Sequence, residues 1–442
     1  MRPMLERLFK LSAHRTTVHT EIIAGFTTFA AMAYILAVNP AILSAAGMDA
    51  GALISATALA SALMTALMGL MTNYPIALAP GMGMNAFFAF TICGAMKIPW
   101  QAALGMVFVS GLLFLLLSVS GLRQKIIESI PQELKIAIAC GIGSFITFLG
   151  LKNGGIIVSD PATFVTVGKI GSPAGLLVLF GIVLTAVLYW RKVRGAIIIS
   201  ILALTIIGLF LPAADGKGNI TAMPERLIAA PASLAPTFLA LDLKYVFANL
   251  GHVFPVIFAL LFVDLVDNMG TLIGVCHRAG FLDKDGNFPQ LGRAMAADAT
   301  AAMVGSCLGT STVTSYIESA AGVEEGGRTG LTSMVVSICF LLALFFHPLI
   351  RAIPAVATAP ALVVVGIFMM QSITDLDLKD FTKAMPALLI MVIMPLAFSI
   401  NEAISIGFVV YVAFAVGTGR SREISWMSWL LSVLFLLHLW FR

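Results

Sequence analysis

Apolar stretches of membrane-crossing length, separated by short polar connections, follow one another along the chain. Windows free of charged residues cover 22–48, 50–96, 98–122, 170–190, 195–214, 245–263, 299–317, 329–350, 352–374, 384–401, 403–419 and 424–441. Most are close to the ~20 residues that a helix needs to cross the ~30 Å hydrocarbon layer. The window 50–96 is too long for one helix, and Asn73, Tyr74 and Pro75 divide it into two.

This pattern predicts an all-α polytopic membrane protein with about fourteen transmembrane segments, once the shorter window 136–151 is included. We expect helices near residues 21–46, 50–72, 82–96, 100–119, 134–151, 173–190, 195–212, 249–276, 292–307, 315–323, 329–347, 357–371, 384–399 and 402–418. An even number of spans places both ends of the chain on the same side of the membrane.

The basic residues predict the orientation. With the N-terminus inside, 18 Lys and Arg residues lie on the inner side and 7 on the outer side, as the positive-inside rule requires. Residues 1–20 then form a cytoplasmic tail. A cleaved signal peptide is not needed, because the first apolar run continues to Asn39 and Pro40 without an A-x-A site. We expect a multi-pass protein of the plasma (inner) membrane.

The longest polar connection lies near the middle of the chain and predicts its domain organisation. We assign residues 21–212 to a first seven-span repeat, 213–248 to an extracytoplasmic connection and 249–418 to a second repeat. Because each unit has an odd number of spans, the second must be inverted relative to the first. In the C-terminal segment 419–442, tryptophans lie among leucines and favour an interfacial helix over a fifteenth span.

Composition excludes several other classes of protein. Hydrophobic residues make up 60% of the chain and charged residues 11%, which is roughly half the usual charged share. The five cysteines and six histidines are scattered without metal-binding spacing, and no P-loop is present. The sequence therefore indicates neither a metalloenzyme nor a nucleotide-driven pump, and no basic cluster indicates a nucleic-acid partner.

Two irregular segments occupy corresponding places in the two halves. Residues 75–85 contain two prolines and two glycines, and residues 309–315 are rich in Thr and Val and hence extended. Each passes into a short helix that we expect to begin near Asn85 or Ser315, with free N–H groups at its start. Glycine packing notches are the structural alternative, but such paired interruptions point to the binding site of a transporter.

Acidic residues occur inside the spans of the second half. Four of them lie near the second irregular segment: Asp264, Asp267, Asp298 and Glu318. A charged side chain at the centre of a span costs at least ~2.5–3.5 kcal/mol, so intramembrane carboxylates mark substrate or proton pathways. Helical spacing places Asn268 and Thr271 on the same side as Asp264 and Asp267, facing one cavity.

Each acid also has a structural alternative. Glu318 and Ser315 match a capping box, and Asp298 suits a structural acceptor for helix N–H or hydroxyl groups. Asp264 suits a cap for the neighbouring half-helix, and Glu402 suits a helix N-terminus. The residues alone leave these alternatives open.

Four ordered motifs resemble a known family. Residues 27–40, 79–88, 264–274 and 309–331 are similar to the AzgA-like adenine/guanine/hypoxanthine permeases of the nucleobase–ascorbate, or second nucleobase–cation symporter, superfamily. The likeness extends from about residue 12 to 418. One departure is Asn268, where we expect a small hydroxyl residue, and this departure leaves the purine preference open.

The resemblance implies a fold and a site. Fourteen spans would form two inverted repeats, with a core domain from spans 1–4 and 8–11 and a gate domain from spans 5–7 and 12–14. Spans 3 and 10 would be discontinuous, with two short antiparallel strands at mid-membrane. We expect the substrate-binding residues to be Asp267, Glu318, Asn85, Phe87, Thr271, Ser315 and Tyr316. Asp264 and Asp298 would serve proton coupling or site architecture.

The expected function is a proton-coupled symporter that imports purine nucleobases by alternating access, with H⁺ as coupling ion, no cofactor and a homodimer by analogy. A carboxylate can accept from a purine N–H, and an aromatic ring such as Phe87, Tyr34 or Phe26 can stack on the base. The rival is an anion transporter or channel of the same architecture, which needs positive charge at its site. A membrane enzyme ranks third because catalytic groups are missing.

Overall fold

The computed structural model describes residues 2–120, 131–213, 218–224, 226–279, 281 and 290–440. Within these ranges, 9 helices are long and apolar enough to cross a membrane: Val18–Ala46, Ala50–Thr72, Trp100–Ser118, Gln132–Asn153, Pro173–Trp190, Leu250–Cys276, Gly330–Arg351, Ala355–Asp375 and Ile400–Gly417. Shorter apolar helices cover Met82–Ala95, Ala196–Gly208 and Phe381–Ala397. The protein is therefore mostly helical and multi-spanning, as predicted, and the total of about fourteen spans stays a prediction.

The first half contains the elements α1 (Arg2–Phe9), α2 (Val18–Met32), α3 (Ile35–Leu43), α4 (Ala50–Thr72), β1 (Leu78–Pro80), α5 (Met82–Ala86), α6 (Trp100–Ser120), α7 (Gln132–Asn153), β2 (Ile157–Asp160), β3 (Phe164–Val167), α8 (Pro173–Trp190) and α9 (Ala196–Gly208). Most of the predicted helices are present, but the first is interrupted. The segment expected as one helix over 21–46 is divided between α2 and α3 by a turn at Ala33 and Tyr34.

The second half contains α10 (Leu243–Ala248), α11 (Leu250–Ala279), α12 (Leu291–Leu308), β4 (Val313–Ser315), α13 (Ser319–Glu324), α14 (Gly330–Ala343), α15 (His347–Arg351), α16 (Ala355–Met370), α17 (Phe381–Ala397), α18 (Ile400–Gly417) and α19 (Trp426–Trp440). Parts of the predicted segments lie outside the described residues, namely 1, 121–130, 214–217, 225, 280, 282–289 and 441–442. So do four basic residues counted for the orientation: Arg123, Lys125, Lys217 and Lys284.

The third predicted helix, 82–96, is not α-helical throughout. After α5, residues Phe87–Ala95 form a π-helix. The N–H of Met96 donates to the carbonyl of Thr91 at 2.9 Å. The prediction of a regular helix over 82–96 was therefore wrong. Because π-helical segments are rare and recur at functional sites, the π-helix is a further irregularity in this part of the chain.

Sequence reasoning did not predict the hairpin formed by β2 and β3, in which Ile157 pairs with Val167 and Asp160 with Phe164. Its tight turn depends on Asp160, whose carboxylate accepts from the N–H groups of Ala162 at 2.8 Å and Thr163 at 2.9 Å. The hydrogen bond from the Thr163 N–H is the main cause that lowers the pKa of Asp160. The prediction of an all-α fold outside the two irregular segments was therefore wrong here.

The helices pack as two groups. In one group α4 packs against α12 and α14, α2 against α13 and α14, and α6 against α12. In the other, α7 packs against α16 and α17, α8 against α9 and α16, and α17 against α18. Glycines allow the closest approaches, since a Cβ at Gly330 would collide with the carbonyl of Gly69, and one at Gly143 with that of Gly366.

The C-terminal helix α19 packs against α18. Its Phe435 ring lies 5.5 Å from that of Phe408 and 6.1 Å from that of Phe258. Trp426 and Trp440, by contrast, are 68% and 81% exposed at the two ends of the helix. This distribution suits the predicted interfacial helix, whose place relative to the membrane stays a prediction.

Candidate functional site

Two short strands from different halves of the chain pair at the centre of the first helix group. Strands β1 and β4 are antiparallel, with Leu78 opposite Ser315 and Pro80 opposite Val313. The N–H of Tyr316 extends the pairing by donating to the carbonyl of Ala77 at 3.0 Å. The pairing expected for the two irregular segments is thereby confirmed.

A polar side chain from a neighbouring helix holds each strand. On β1, the hydroxyl of Thr65 in α4 accepts from the N–H of Leu78 and donates to its carbonyl, both at 2.9 Å. On β4, Oδ1 of Asp298 in α12 accepts from the Ser315 N–H at 2.9 Å, the Ser315 hydroxyl at 3.1 Å and the Thr314 hydroxyl at 3.2 Å. These hydrogen bonds satisfy backbone groups of the two strands that would otherwise lack partners in apolar surroundings.

The short helices after the strands differ in detail from the expectation. They begin at Met82 and Ser319, and neither has a side-chain cap at its N-terminus. The expected free N–H groups at the start of the second helix are not free. Those of Ser319, Ala320 and Ala321 donate to the carbonyls three residues back, at 3.0–3.1 Å.

The capping box proposed for Glu318 is also wrong. Glu318 is itself the residue that precedes α13, and its Oε1 accepts from the Tyr34 hydroxyl at 2.5 Å. Tyr34 is fully buried at the break between α2 and α3. The interruption of the first span therefore presents a phenol to the carboxylate that follows β4, and Glu318 itself remains partly exposed.

Helix α11 brings the remaining predicted acids towards β4 and α13, with which it is in contact. Asp264 and Asn268 are buried, at 4% and 0% exposure, whereas Asp267 and Thr271 are partly exposed. Among the described residues, Oδ1 of Asp264 and both polar atoms of the Asn268 side chain have no hydrogen-bond partner. Asp267 and Thr271 are therefore accessible, whereas Asp264 and Asn268 are enclosed by the surrounding protein.

Asn85 belongs to a buried amide network that sequence reasoning missed. Its Nδ2 donates to Oδ1 of Asn39 at 2.5 Å. The Asn39 Nδ2 donates in turn to the hydroxyls of Thr57 at 2.7 Å and Thr310 at 2.8 Å. The network joins α3, α4, α5 and the approach to β4. A polar Asn39 within an apolar span was the signal that could have revealed it.

The aromatic candidates lie in different environments. Phe87 is fully buried at the start of the π-helix, and Tyr316 is 6% exposed, with its hydroxyl donating to the carbonyl of Pro80 at 2.5 Å. Phe26 is 56% exposed and lines an apolar groove with Leu202 and Leu342. The structure thus brings Tyr316 and Tyr34 to the paired strands, while Phe26 lies on an outer surface.

A further buried carboxylate, Glu21, was not predicted from the sequence. It is fully buried in the first turn of α2. Its carboxylate accepts from the N–H groups of Arg328 at 2.9 Å, Thr329 at 3.3 Å and Thr332 at 3.2 Å, and from the Thr332 hydroxyl at 2.7 Å. Glu21 therefore joins α2 to the start of α14. Within the described part of the chain, no group of three or more His, Cys, Asp or Glu residues is arranged to hold a metal ion.

Apolar spans around a pair of short strands, with carboxylates at their junction, are typical of a membrane transporter. Residues 19–406 match the Permease family, and the chain belongs to this family. It is 48% identical to "Putative permease MJ0326" of Methanocaldococcus jannaschii, with 98% of each chain covered. It is 43% identical to "Adenine permease AdeP" of Escherichia coli K12, covering 99% of this chain and 96% of that one. It is 42% identical to "Guanine/hypoxanthine permease PbuG" of Bacillus subtilis, covering 98% and 99%.

Solved structures share the fold. The transmembrane domain of the cyanobacterial bicarbonate transporter BicA has a TM-score of 0.64 at 17% identity, covering 87% of this chain and 97% of that one. The inward-facing murine anion transporter Slc26a9 has a TM-score of 0.65 at 13% identity, covering 90% and 68%. The family and its relatives are permeases, so the protein is a transporter and not an enzyme.

Proposed function

We propose that the protein is a proton-coupled symporter that imports purine nucleobases by alternating access. One observation carries the proposal. In a chain more than 40% identical to an adenine permease and a guanine/hypoxanthine permease over nearly its whole length, the strand junction has two partly exposed carboxylates, Asp267 and Glu318. Purine bases present N–H donors, and ionised carboxylates are acceptors only, so the two chemistries match.

The hydrogen bond from Tyr34 gives Glu318 a defined orientation. A carboxylate with one oxygen held by a phenol at 2.5 Å keeps its other oxygen for a ligand, at little further cost in side-chain entropy. Asp267 approaches from α11. The other predicted contacts are Asn85, Phe87, Thr271, Ser315 and Tyr316, of which only Thr271 is partly exposed. The two carboxylates and Thr271 are therefore proposed to bind the base directly, and the four buried residues to shape the site around it.

Accessibility also motivates different roles for the remaining acids. Asp264 and Asp298 are buried, and Asp298 already accepts three hydrogen bonds from β4. A carboxylate so engaged is suited to site architecture or to holding the coupling proton, rather than to contacting a purine. No cofactor is proposed.

The packing supports an inverted-repeat transporter of fourteen spans. Thr65 of α4 holds β1 and Asp298 of α12 holds β4, so the proposed second and ninth spans have equivalent tasks. The two helix groups support the proposed division into a core domain (spans 1–4 and 8–11) and a gate domain (spans 5–7 and 12–14). Movement of one against the other would expose the strand junction to each side in turn. We place the protein in the inner membrane as a homodimer, with its N-terminus in the cytoplasm.

An anion transporter is the weaker alternative. The likeness to BicA and Slc26a9, at 17% and 13% identity, concerns the fold alone, so the site chemistry must decide. An anion site needs positive charge or helix N-termini that donate. Here the junction has carboxylates, and the first N–H groups of α13 are already bonded to backbone carbonyls.

Competition of labelled adenine uptake tests the proposed substrate class. Cells that lack their own purine permeases would express the chain, and unlabelled adenine, guanine, hypoxanthine, uracil, bicarbonate and sulfate would compete in turn. We expect purines to inhibit uptake and the anions to have no effect. No adenine uptake that depends on the chain, together with chain-dependent uptake of labelled bicarbonate or sulfate, would favour the anion transporter.

A further inference from the structure

The N-terminal segment is docked onto the helix ends rather than hanging free. Phe9 and Leu11 are each 4% exposed and pack with Leu331 at the start of α14. The Asn73 side chain, at the end of α4, donates to the carbonyl of Phe9 at 3.0 Å and accepts from the N–H of Gly330 at 3.0 Å. Helix α1 is thereby fixed beside the ends of two helices that belong to the spans.

Docking of this segment creates a cavity of about 300 Å³ with a mixed lining. Three basic side chains line it, Lys10, His14 and Arg293, which come from the segment after α1 and from the first turn of α12. None of the three forms an ion pair with an acidic residue of the described chain. The carboxylate of nearby Glu6 accepts from the N–H of Ser12 at 3.1 Å and does not line the cavity. The lining supplied by the described residues is thus cationic.

Apolar side chains complete the lining on the opposite side. Leu8 and Leu70 both line the cavity and are 52% and 58% exposed. Leu70 lies in the last turns of α4, a helix of membrane-crossing length, so the apolar side of the cavity is continuous with the surface of a candidate span. Met4, on the next turn of α1, is 64% exposed. A ligand that satisfies both sides must have an anionic head and a hydrocarbon tail.

We propose that this cavity binds an anionic phospholipid, with the headgroup phosphate between Lys10, His14 and Arg293 and an acyl chain along Leu8 and Leu70. Basic pockets between membrane helices recognise anionic headgroups through charge and hydrogen bonding. A free phosphate would use the basic residues alone and make no contact with the leucines. The site lies apart from the strand junction and does not depend on the proposed substrate.

Lipid titration of the purified full-length protein tests the proposal. Native mass spectrometry would measure the binding of phosphatidylglycerol and phosphatidylcholine to the wild type and to Lys10→Gln/Arg293→Gln. The control Lys169→Gln/Arg351→Gln removes the same charge from exposed positions that do not line the cavity. A cation at an anionic lipid surface changes binding about fivefold, so we expect about 25-fold weaker phosphatidylglycerol binding in the first variant and little change in the control.

Two further arms distinguish the sources of the phosphate. Leu8→Gln should weaken the binding of phosphatidylglycerol, and inorganic phosphate should fail to displace the lipid at matched concentration. Equal binding of phosphatidylcholine, equal loss in the control, or full displacement by inorganic phosphate would each overturn the assignment. Circular dichroism of each variant verifies folding, and the single variant Lys10→Gln, at an exposed position, keeps the test valid if the double variant misfolds.

Discussion

Replacement of Asp298 separates support of the strand from contact with the base. Its Oδ1 is the common acceptor for the Ser315 N–H, the Ser315 hydroxyl and the Thr314 hydroxyl, and the side chain is fully buried. In Asp298→Ala, all three donors lose their acceptor in a dry site. In Asp298→Asn, the amide oxygen can replace Oδ1 and keep the three contacts, while the charge and the proton site disappear.

The expected magnitudes follow from these contacts. An unsatisfied buried donor costs about 1–3 kcal/mol, and three donors on one oxygen are not additive. We therefore expect Asp298→Ala to lower the free energy of unfolding by about 3–5 kcal/mol. In Asp298→Asn, the bonds persist without charge assistance, so the loss should be about 1–2 kcal/mol. The prediction that Asp298→Ala is less stable than Asp298→Asn depends only on the hydrogen bonds to β4.

Binding and transport must be measured separately on purified protein. Denaturant unfolding in micelles gives the stability, equilibrium binding of labelled adenine gives the affinity, and uptake into proteoliposomes gives the rate. We expect Asp298→Asn to bind adenine nearly as well as the wild type and to transport it at least about tenfold more slowly, or without proton coupling. A folded Asp298→Asn protein whose affinity collapses as far as that of Asp267→Asn would refute this division of roles.

Three further sets of variants test other contacts. Asp267→Asn and Glu318→Gln should each abolish high-affinity purine uptake while the protein still reaches the membrane. In each variant an amide replaces the carboxylate acceptor, and the mismatch should cost about 1–3 kcal/mol or more of binding free energy. Near-normal uptake in either variant would assign that residue a structural role. Tyr34→Phe should raise the KM for adenine about tenfold with little change in stability, since it removes one hydrogen bond to a charged group; an unchanged KM would contradict the orienting role of the phenol. Glu21→Ala should lower the melting temperature of the purified protein far more than Glu21→Gln, because it removes the acceptor of four hydrogen bonds. The folded fraction should keep its adenine affinity. Equal melting temperatures for the two variants would show that these hydrogen bonds do not stabilise the fold.

Sequence patterning predicted the features that depend on local physics. The helix expected over 50–72 has the same bounds in the structure, because a charge-free run and an Asn in the left-handed conformation at its end define it. The two extended segments were predictable from proline, glycine and β-branched residues. Their acids were noticeable because a carboxylate inside a span is costly.

Features that depend on distant partners were not predictable in the same way. The Tyr34 hydroxyl meets Glu318 across 284 positions of sequence, and nothing near Ser315 indicates that a phenol rather than the local backbone would bind the carboxylate. Asn39 was visible as a polar residue in an apolar run and Glu21 as an acid at the start of that run, but their partners come from distant parts of the chain. The hairpin of β2 and β3 was missed because its strands have only 4 residues each.

Adenine uptake into proteoliposomes under an imposed pH gradient tests the central proposal most directly. Purified protein in vesicles with an alkaline interior should accumulate labelled adenine above the external concentration, and a protonophore should abolish the accumulation. An imposed sodium gradient without a pH gradient should give no accumulation, and empty vesicles supply the baseline. Accumulation that survives the protonophore and depends on sodium would contradict proton coupling, and the absence of any protein-dependent adenine flux would contradict the proposed substrate.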